Sequence, residues 1–364
     1  MQSTPLLDFE RQLSGKRILV TGHTGFTGSW VCLWLQQIGA VVAGYALPPD
    51  HTPSLYDVLG FQTSIDSTYA DVCDFASVKE AFERFRPEAV LHLAAQPLVR
   101  RSYREPVSTF AVNAMGTVHV LEAARLTPET KAAVCITTDK VYKNNEWAWS
   151  YRENDPLGGK DPYSASKSAA EMVIDSYRAS FGKTDGTGLA IATARGGNII
   201  GGGDWSEDRL VPDFVRAVVS GTKMTLRYPG ATRPWQHVLA LVQGYLMLLA
   251  GLSEQPARYA RAWNLGPQDV KNYSVKSVLE ALSSQWTRPE LEYMNAPLPE
   301  AGALALDSSL ARNELGWVTP WDTRKVVAET ANWYRDYYRQ PSDARAISQR
   351  QLQTWRADLA NAGA

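Results

Sequence analysis

A short apolar strand followed by three evenly spaced glycines constrains the fold of this chain more than any other feature. The segment RILVTGHTGFTG begins at Arg17 and places its glycines three residues apart directly after the apolar run. Such glycines permit a tight turn between a buried strand and a helix, and they let backbone N–H groups approach a pyrophosphate at the helix N-terminus. The alternative interpretation is an ordinary strand–helix turn that binds no ligand, because such a turn can have the same glycine spacing. The residues predicted to contact a dinucleotide here are Gly22, Thr24, Gly25, Phe26 and Gly28.

Short apolar runs alternate with helical patterns from residue 16 to about residue 197. This alternation is typical of a parallel sheet covered by helices on both faces, and it predicts a Rossmann-like, doubly wound α/β fold. The predicted strands are 18–21, 41–47, 67–70, 89–94, 132–138, 189–194 and 262–265. The predicted helices are 28–38, 77–85, 107–126, 164–181, 211–220 and 238–252.

The pattern becomes irregular after residue 197, where Gly, Pro, Trp and Arg are frequent. We therefore expect a second, smaller and mostly C-terminal domain that binds the substrate. The dinucleotide-binding domain is predicted to comprise 15–197 and about 231–266, the substrate domain 198–230 and about 267–340, and a helical tail 341–364.

The charge balance and the cysteines argue against several classes of protein. Lys and Arg number 37 and Asp and Glu 38, so the net charge of −1 lacks the basic excess that nucleic-acid binding needs. No apolar run is long enough to cross a bilayer, and the N-terminus carries charges where a signal peptide would be apolar. Cys32, Cys73 and Cys135 have no metal-ligand spacing, which indicates reduced thiols, no metal site and a cytoplasmic location.

Other predicted cofactor contacts follow the later strands. In dinucleotide-binding folds an acidic residue after the second strand bonds the ribose of NAD, but here Tyr45 is followed by ALPP. Because no Arg or Lys stands there either, NAD is favoured over NADP. Asp71 could meet the adenine, although a helix-capping role fits nearly as well. The predicted contacts in these segments are Asp71, Val72, Leu93, Ala94, Ala95 and Gln96.

Tyr163 and Lys167 stand four residues apart, one turn along the same face of a predicted helix. A nearby ammonium and a positively charged nicotinamide both lower the pKa of a phenol, so Tyr163 could act as a base near neutral pH. A solvated helix face is the alternative interpretation. Together with the glycine turn, the pair indicates hydride chemistry at a sugar or alcohol carbon, with both side chains also contacting the cofactor.

The strand 132–138 ends in Thr138, Asp139 and Lys140, at the edge where a parallel sheet presents reactive groups. Thr138 could share a substrate hydroxyl with Tyr163. Asp139 could protonate a leaving hydroxyl, and Lys140 could remove a carbon-bound proton if it were neutral. An ordinary solvent-facing Asp–Lys turn explains the last two residues equally well.

These motifs together identify a resemblance to a known family. The chain resembles the extended short-chain dehydrogenases/reductases and, more narrowly, the CDP-glucose 4,6-dehydratase family, over about residues 15–320. The resemblance rests on TGHTGF from Thr21, GYALPP from Gly44, AAQPLVR from Ala94, TTDKVY from Thr137, YRENDPLGG from Tyr151, RGGN from Arg195 and RPWQHV from Arg233. The Asp139–Lys140 pair is its more specific part, because related dTDP-glucose dehydratases carry Asp-Glu there.

The resemblance implies a redox-neutral dehydration of CDP-D-glucose to CDP-4-dehydro-6-deoxy-D-glucose by a lyase that recycles NAD. Tyr163 would deprotonate the C4 hydroxyl as hydride leaves C4, Lys140 would remove the C5 proton, and Asp139 would protonate the departing C6 hydroxyl before hydride returns to C6. Such enzymes serve deoxysugar biosynthesis, including that of the lipopolysaccharide O-antigen.

The resemblance also implies substrate contacts and an assembly. Arg suits a diphosphate because its fork can engage phosphate oxygens with two N–H groups. The positions carried over are Asn198, Arg209, Leu210, Arg227, Arg233 and His237, although His237 could equally be a packed core histidine. A homodimer through the helices 107–126 and 164–181 is expected, with a tetramer as the alternative.

Three other functions stay open on the sequence alone. A nucleotide-sugar 4-epimerase would use Tyr163 and Lys167 without Asp139 or Lys140. A 4,6-dehydratase for dTDP-, UDP- or GDP-hexoses would keep the chemistry and change the nucleotide. A catalytically silent NAD sensor could dispense with all of these side chains.

Overall fold

The protein is built around one parallel sheet in the computed structural model, which describes residues 7–226, 229–230, 232–267, 273–294 and 304–362. Seven strands of these ranges form the sheet in the order β3-β2-β1-β4-β5-β6-β11, with every neighbouring pair parallel. The strands are β1 (Arg17–Thr21), β2 (Val41–Ala46), β3 (Asp66–Tyr69), β4 (Ala89–His92), β5 (Ala132–Thr138), β6 (Ala190–Gly196) and β11 (Ala262–Leu265). The predicted Rossmann-like sheet is confirmed, and each predicted strand coincides with one of these.

Helices cover both faces of the sheet. They are α1 (Asp8–Leu13), α2 (Phe26–Gln37), α3 (Leu55–Val58), α4 (Phe75–Phe85), α5 (Val99–Arg104), α6 (Pro106–Phe110), α7 (Gly116–Leu126), α8 (Pro162–Phe181), α9 (Leu210–Ser220), α10 (Val238–Glu254), α11 (Pro256–Tyr259), α12 (Val275–Gln285), α13 (Thr323–Arg339) and α14 (Ala344–Ala362). Further short strands lie outside the seven-stranded sheet: β7 (Ile199–Ile200), β8 (Met224–Leu226), β9 (Thr232–Arg233), β10 (Gln236–His237), β12 (Tyr273–Ser274) and β13 (Leu291–Tyr293).

The strands are apolar on both sides because each side meets a helical layer. Successive side chains of a strand point to opposite faces, so Ile18 and Val20 enter one core with α2, α10, α13 and α14. Leu19, between them, enters the other core with α4, α7 and α8. Such two-sided burial explains why the sequence shows continuous apolar runs here rather than alternation.

The order of the strands determines where a ligand can bind. β2 and β3 lie on one side of β1, whereas β4, β5 and β6 lie on the other. The connections therefore reverse direction beside β1, and a crevice opens at the carboxyl ends of β1 and β4. The glycine turn follows β1, and Thr138 ends β5 at the same edge of the sheet.

The long helical segment between residues 106 and 126 is not uniform. α6 continues into a π-helical turn over Ala111–Met115 and then into α7. A π-turn shifts the side chains that follow it by an extra residue and often occurs at functional sites. The prediction of one regular helix over 107–126 missed this turn, because single residues carry no strong signal for it.

The last helix, α14, packs back on the beginning of the chain. Arg356 forms an ion pair of 2.6 Å with Glu10 of α1, and the Trp355 indole donates to Gln243 of α10. The region predicted as a helical tail is thus packed against the sheet layer. No helix among the described residues is long and apolar enough to span a membrane.

Candidate active site

The glycine turn forms a close-packed cradle at the crevice. Gly22 has a φ of 74°, and a Cβ there would lie 2.7 Å from the backbone nitrogen of Ala94. A Cβ on Gly28 would lie 2.2 Å from the carbonyl oxygen of Gly22. Only glycine fits either position, so the turn brings the start of α2 close to the end of β4.

The N-terminus of α2 is available to a ligand. Gly25 is its N-cap residue and supplies no side-chain hydrogen bond to the first turn. The first N–H groups of a helix have no partners within the helix and carry partial positive charge. The residues present therefore fit the pyrophosphate of a dinucleotide at this turn.

Thr24 and Phe26 lie at the mouth of the same turn. The Thr24 hydroxyl donates to the carbonyl oxygen of Leu47 at 2.8 Å, which ties the turn to the segment after β2. The ring of Phe26 lies close to Gly201, in the loop that follows β7. Phe26 thus stands between the glycine turn and the predicted substrate region.

The segment after β3 is held by local hydrogen bonds. The Asp71 carboxylate accepts from the backbone of Cys73 at 2.9 Å, while the carbonyl oxygen of Asp71 accepts from the Tyr45 hydroxyl at 2.8 Å. Val72 is buried, and its side chain lies against Gly116 of α7. The turn around Asp71 precedes Asp74, which is the N-cap residue of α4, so Asp71 itself does not cap that helix. Adenine contact at Asp71 and Val72 stays a prediction.

The segment after β4 lies directly against the glycine turn. Leu93 donates its N–H to the carbonyl oxygen of Thr21, and Ala94 donates to the hydroxyl of Thr21. The amide of Gln96 is 7% exposed, donates to Thr109 and accepts from the backbone of Leu98. The backbone of Leu93 and Ala94 therefore borders the cradle, and Ala95 follows them. The Gln96 side chain is instead hydrogen-bonded to Thr109 and Leu98.

Thr138, Asp139 and Lys140 form a connected group at the end of β5. The Thr138 hydroxyl donates to Asp139 Oδ1 at 2.9 Å, and the Lys140 ammonium donates to the same oxygen at 2.9 Å. Lys140 also donates to Asn198 Oδ1 at 3.2 Å. Asp139 is 2% exposed. The alternative of a solvent-facing Asp–Lys turn is therefore wrong for Asp139, since its carboxylate is enclosed.

Tyr163 stands beside this group. Burial raises the pKa of its phenol, while the positive charge of Lys140 and a hydrogen bond with Thr138 lower it. The charge of Arg209 acts in the same direction. The phenol thus lies near positive charges and a hydrogen-bonding hydroxyl that stabilise its deprotonated form.

Lys167 lies one turn further along α8 and is almost fully buried. Its ammonium donates to the carbonyl oxygen of Ile136 at 3.0 Å, and burial lowers its pKa to about 8. The sequence predicted that Lys167 is the cation acting on Tyr163. The structure makes Lys140 the largest charge that lowers the pKa of Tyr163.

An internal ion pair supports the helix that carries Tyr163 and Lys167. Arg195 of β6 binds Glu171 of α8 with two parallel hydrogen bonds of 2.9 Å, and the Thr137 hydroxyl donates to Glu171 at 2.5 Å. Glu171 and Arg195 are 0% and 2% exposed. Sequence reasoning missed Glu171, although its spacing of four residues from Lys167 was a usable signal.

The predicted substrate residues fall into different environments. Asn198 joins the Lys140 group, as described above. Arg209 forms a 3.0 Å ion pair with Asp204 and is the N-cap residue of α9, which begins at Leu210. Arg227 lies outside the described residues, and of Arg233 the structure describes the backbone in β9 but not the side chain.

His237 is placed in the core rather than at the substrate. Its ring is 0% exposed and packs against Trp321 and Trp355, with centroids 4.9 Å and 6.0 Å away. Its Nδ1 accepts from the backbone of Leu239 and caps α10, and burial lowers its pKa to about 3. The prediction of a substrate contact is corrected to the core alternative, because the apolar neighbours enclose the imidazole.

Sequence reasoning also missed an arginine that links α5 to the loop before α9. Arg100 lies 3.7 Å from Asp208, a residue with a φ of 58°. A non-glycine residue with positive φ stores backbone strain, which is common beside functional sites. The sequence signal for Arg100 was its place at the end of the motif AAQPLVR, which does not show what the arginine binds.

The fold and the site define a Rossmann-type enzyme of the nucleotide-sugar epimerase and dehydratase class. A model of the GDP-mannose 4,6-dehydratase family matches residues 19–330. The chain belongs to this family.

Known relatives and solved structures agree with that membership. The chain is 42% identical over 331 residues to a CDP-glucose 4,6-dehydratase of Salmonella typhimurium, covering 89% of this chain and 92% of the relative. It is 27% identical to a dTDP-glucose 4,6-dehydratase of Streptomyces griseus, covering 88% and 94%. The UDP-glucose 4-epimerase of Thermus thermophilus in complex with NAD superposes with a TM-score of 0.76 at 26% identity, covering 88% and 99%.

Proposed function

We propose that this protein dehydrates CDP-D-glucose to CDP-4-dehydro-6-deoxy-D-glucose, with NAD as an internally recycled cofactor. The single observation that carries the proposal is the Asp139–Lys140 pair, whose carboxylate is enclosed and which is joined to Thr138 and Asn198 beside Tyr163. A 4-epimerase has no need of a second acid–base couple. The relative that is 42% identical to this chain is named a CDP-glucose 4,6-dehydratase, which is the same activity.

The glycine cradle would hold NAD, whose nicotinamide would supply reversible hydride transfer between C4 and C6 of the sugar. The residues assigned to hold it are those of the turn between Gly22 and Gly28 and those of the segment after β4. Tyr163 takes the proton of the C4 hydroxyl while Thr138 orients that hydroxyl by hydrogen bonding. Lys140 and Arg209 stabilise the phenolate form that accepts this proton, since both charges lower the pKa of Tyr163.

The elimination needs Lys140 as a neutral amine and Asp139 as a carboxylic acid. Their Nζ and Oδ1 lie 2.9 Å apart, so one proton moving along this hydrogen bond converts the ion pair into that neutral pair. Lys140 then takes the C5 proton and Asp139 gives its proton to the C6 hydroxyl, which leaves as water. The ion pair is thereby regenerated. Lys140 can then return a proton to C5, and transfer of the proton that Tyr163 accepted restores the Lys140 ammonium and the phenolate.

The direct test is incubation of the purified protein with CDP-glucose and NAD, followed by mass spectrometry of the sugar nucleotide. We expect the loss of one water without net formation of NADH. dTDP-, UDP- and GDP-glucose serve as matched substrates, and Tyr163→Phe should reduce turnover by about 1000-fold or more, since it removes the base. An unchanged mass with inverted C4 would mean epimerisation, and binding of NAD without turnover of any of the four would favour the sensor.

We also propose a homodimer in the cytoplasm. Apolar side chains of α6 to α8 are exposed, with Val107 at 83% and Met172 at 60%, and they lie on the helices expected to pair between subunits. Covering them would remove apolar surface from water. Light scattering on the purified protein distinguishes a monomer, a dimer and a tetramer. We propose that the product is used in deoxysugar synthesis for the O-antigen.

A further inference from the structure

A buried histidine that the proposed reaction does not use connects the glycine cradle to the helix of Tyr163. His92 is the last residue of β4 and is 3% exposed. Its Nδ1 lies 2.8 Å from the Thr21 hydroxyl, and its Nε2 lies 3.1 Å from the Thr117 hydroxyl of α7. Thr21 immediately precedes Gly22, so one side of the imidazole faces the cofactor turn.

The neighbouring hydrogen bonds determine the tautomer of this histidine. The Thr117 hydroxyl donates to the carbonyl oxygen of Asn113 at 2.7 Å, so it must accept from His92 Nε2–H. Nδ1 then has a lone pair and accepts from the Thr21 hydroxyl. The Thr21 oxygen in turn accepts from the backbone N–H of Ala94 at 3.2 Å. Burial lowers the pKa of His92 to about 3, so the imidazole is neutral, and both of its nitrogens are hydrogen-bonded.

The chain of hydrogen bonds continues beyond Thr117 to the catalytic helix. Asn113, in the π-helical turn, donates its amide to the Ser166 hydroxyl at 2.9 Å and to the carbonyl oxygen of Gln96 at 3.1 Å. Ser166 donates to the carbonyl oxygen of Tyr163 at 2.7 Å. Asn113 is 1% exposed and Ser166 is 0% exposed. Water does not compete for these bonds, so each strongly restrains its partners.

We propose that His92 is a positioning residue with two separable effects: through Thr21 it sets the glycine cradle for NAD, and through Thr117 and Asn113 it sets α8 and Tyr163. The inference rests on the proposed function for the second effect, because only that function makes Tyr163 the base. The first effect requires only that the cradle bind NAD. His92 touches neither ligand in this account and acts entirely through its partners.

The shapes of asparagine and glutamine make the two effects testable separately. The Oδ1 of asparagine can replace Nδ1, so His92→Asn keeps the bond from Thr21 and loses the bond to Thr117. The amide nitrogen of glutamine can replace Nε2, so His92→Gln keeps Thr117 and loses Thr21. Thr21→Val and Thr117→Val remove these bonds from the other side, together with the Thr21–Ala94 and Thr117–Asn113 bonds, and serve as second variants where a His92 variant fails to fold.

The experiment measures three quantities for each variant. They are the Kd of NAD by calorimetry, the turnover of CDP-glucose at saturating NAD, and hydrogen–deuterium exchange in residues 21–28 and at the start of α8. For His92→Gln and Thr21→Val we expect the Kd of NAD to rise about 10-fold, faster exchange in residues 21–28, and turnover within about 3-fold of wild type. For His92→Asn and Thr117→Val we expect a Kd within about 3-fold, turnover lowered about 10-fold, and faster exchange at the start of α8.

The matched control is Val120→Ala, which removes buried apolar contacts in α7 without touching the hydrogen bonds. It should lower the melting temperature while leaving the Kd and the turnover unchanged. The proposal is overturned if the asparagine and glutamine variants change the same quantities, or if all variants behave like Val120→Ala. A wild-type protein that binds NAD but turns over no CDP-glucose would contradict the proposed function alone, because the Kd and the exchange pattern would still decide the role of His92.

Discussion

At the scale of single residues, Lys140 has more effects on the site than its position in the sequence indicates. Its ammonium contacts Asp139 and Asn198, and its charge is the largest that lowers the pKa of Tyr163. One side chain therefore acts on both stages of the proposed reaction. It assists the first proton transfer as a cation and the second as a neutral base.

Replacing Lys140 should stop the reaction after the first stage. Lys140→Met keeps the length of the side chain and removes the amine, so C4 oxidation slows while loss of the C5 proton is blocked. We expect product formation to fall at least about 100-fold, with NADH accumulating in a single turnover. Absorbance and mass spectrometry in deuterated water measure both steps. Lys143→Met, at an exposed position nearby, is the control, and wild-type turnover of Lys140→Met would contradict the assignment.

Lys167 makes a pH-dependent contribution to stability. Burial lowers its pKa from 10.5 to about 8, so between these values the unfolded chain binds more protons than the folded chain. The free energy of unfolding therefore rises with pH across this window. Without NAD, Lys167→Met should be more stable than wild type at pH 7 by about 2 kcal/mol, because it avoids burying a charge but loses the bond to Ile136.

Urea denaturation at pH 7 and at about pH 10 measures this difference. The advantage of the variant should shrink as the pH rises from about 8 toward 10.5, because the unfolded chain then gives up its Lys167 proton more easily and folding costs less. Equal stability of the two proteins at pH 7, or an advantage that does not change with pH, would contradict the lowered pKa of Lys167. Lys143→Met should show no such dependence.

At the scale of elements, α8 is aligned on the sheet by its buried ion pair. Glu171 binds Arg195 of β6 and receives the Thr137 hydroxyl of β5, so three elements meet at one carboxylate. Burial by itself lowers the pKa of Arg195, but the Glu171 carboxylate more than offsets this and raises it. Tyr163 and Lys167 precede Glu171 on the same helix, so the pair also fixes their distance from Thr138.

Breaking this ion pair should be costly. Glu171→Gln leaves the Arg195 charge buried without a counter-charge, so we expect the free energy of unfolding to fall by about 3 to 5 kcal/mol. Glu122→Gln in α7 is the matched control, because its partner Arg125 is 36% exposed and such a surface pair contributes less than about 1 kcal/mol. Similar losses for both variants, measured by urea denaturation, would contradict the structural role of Glu171.

At the scale of the whole molecule, α14 joins the two ends of the chain. It lies beyond the residues 19–330 that the family model matches, yet it reaches α1 through Arg356 and α10 through Trp355. Trp355 is 0% exposed and packs against Trp321 and His237. The helix therefore holds the region around α13 against the sheet layer.

Shortening Trp355 should weaken the whole fold. Trp355→Ala removes a buried indole and leaves a cavity, which lowers the free energy of unfolding by about 3 to 5 kcal/mol. Arg350→Ala, at an exposed position of the same helix, should change it by less than about 0.5 kcal/mol. Denaturation curves of the two variants provide the measurement, and a small loss for Trp355→Ala would mean that α14 is only loosely attached.

The predictable part of the structure is the part that local patterns encode. Apolar runs such as 132–138 predicted the strands because burial on both faces leaves a continuous signal. The buried chain through His92 and Asn113 was not predictable, since its members are far apart in sequence and meet only once β1, β4 and α7 are packed. The environment of His237 was left open for the same reason: a motif cannot show whether a ring points to a cleft or to a core.

The sequence by itself determined the parallel sheet, the glycine turn and the spacing of Tyr163 and Lys167, because each depends on residues that are neighbours along the chain. Only the tertiary structure decided that Lys140 is the principal charge acting on Tyr163, that Glu171 anchors α8, and that His237 belongs to the core. Charge interactions and desolvation depend on distances through space, and those distances arise only when strands and helices from different parts of the chain pack together.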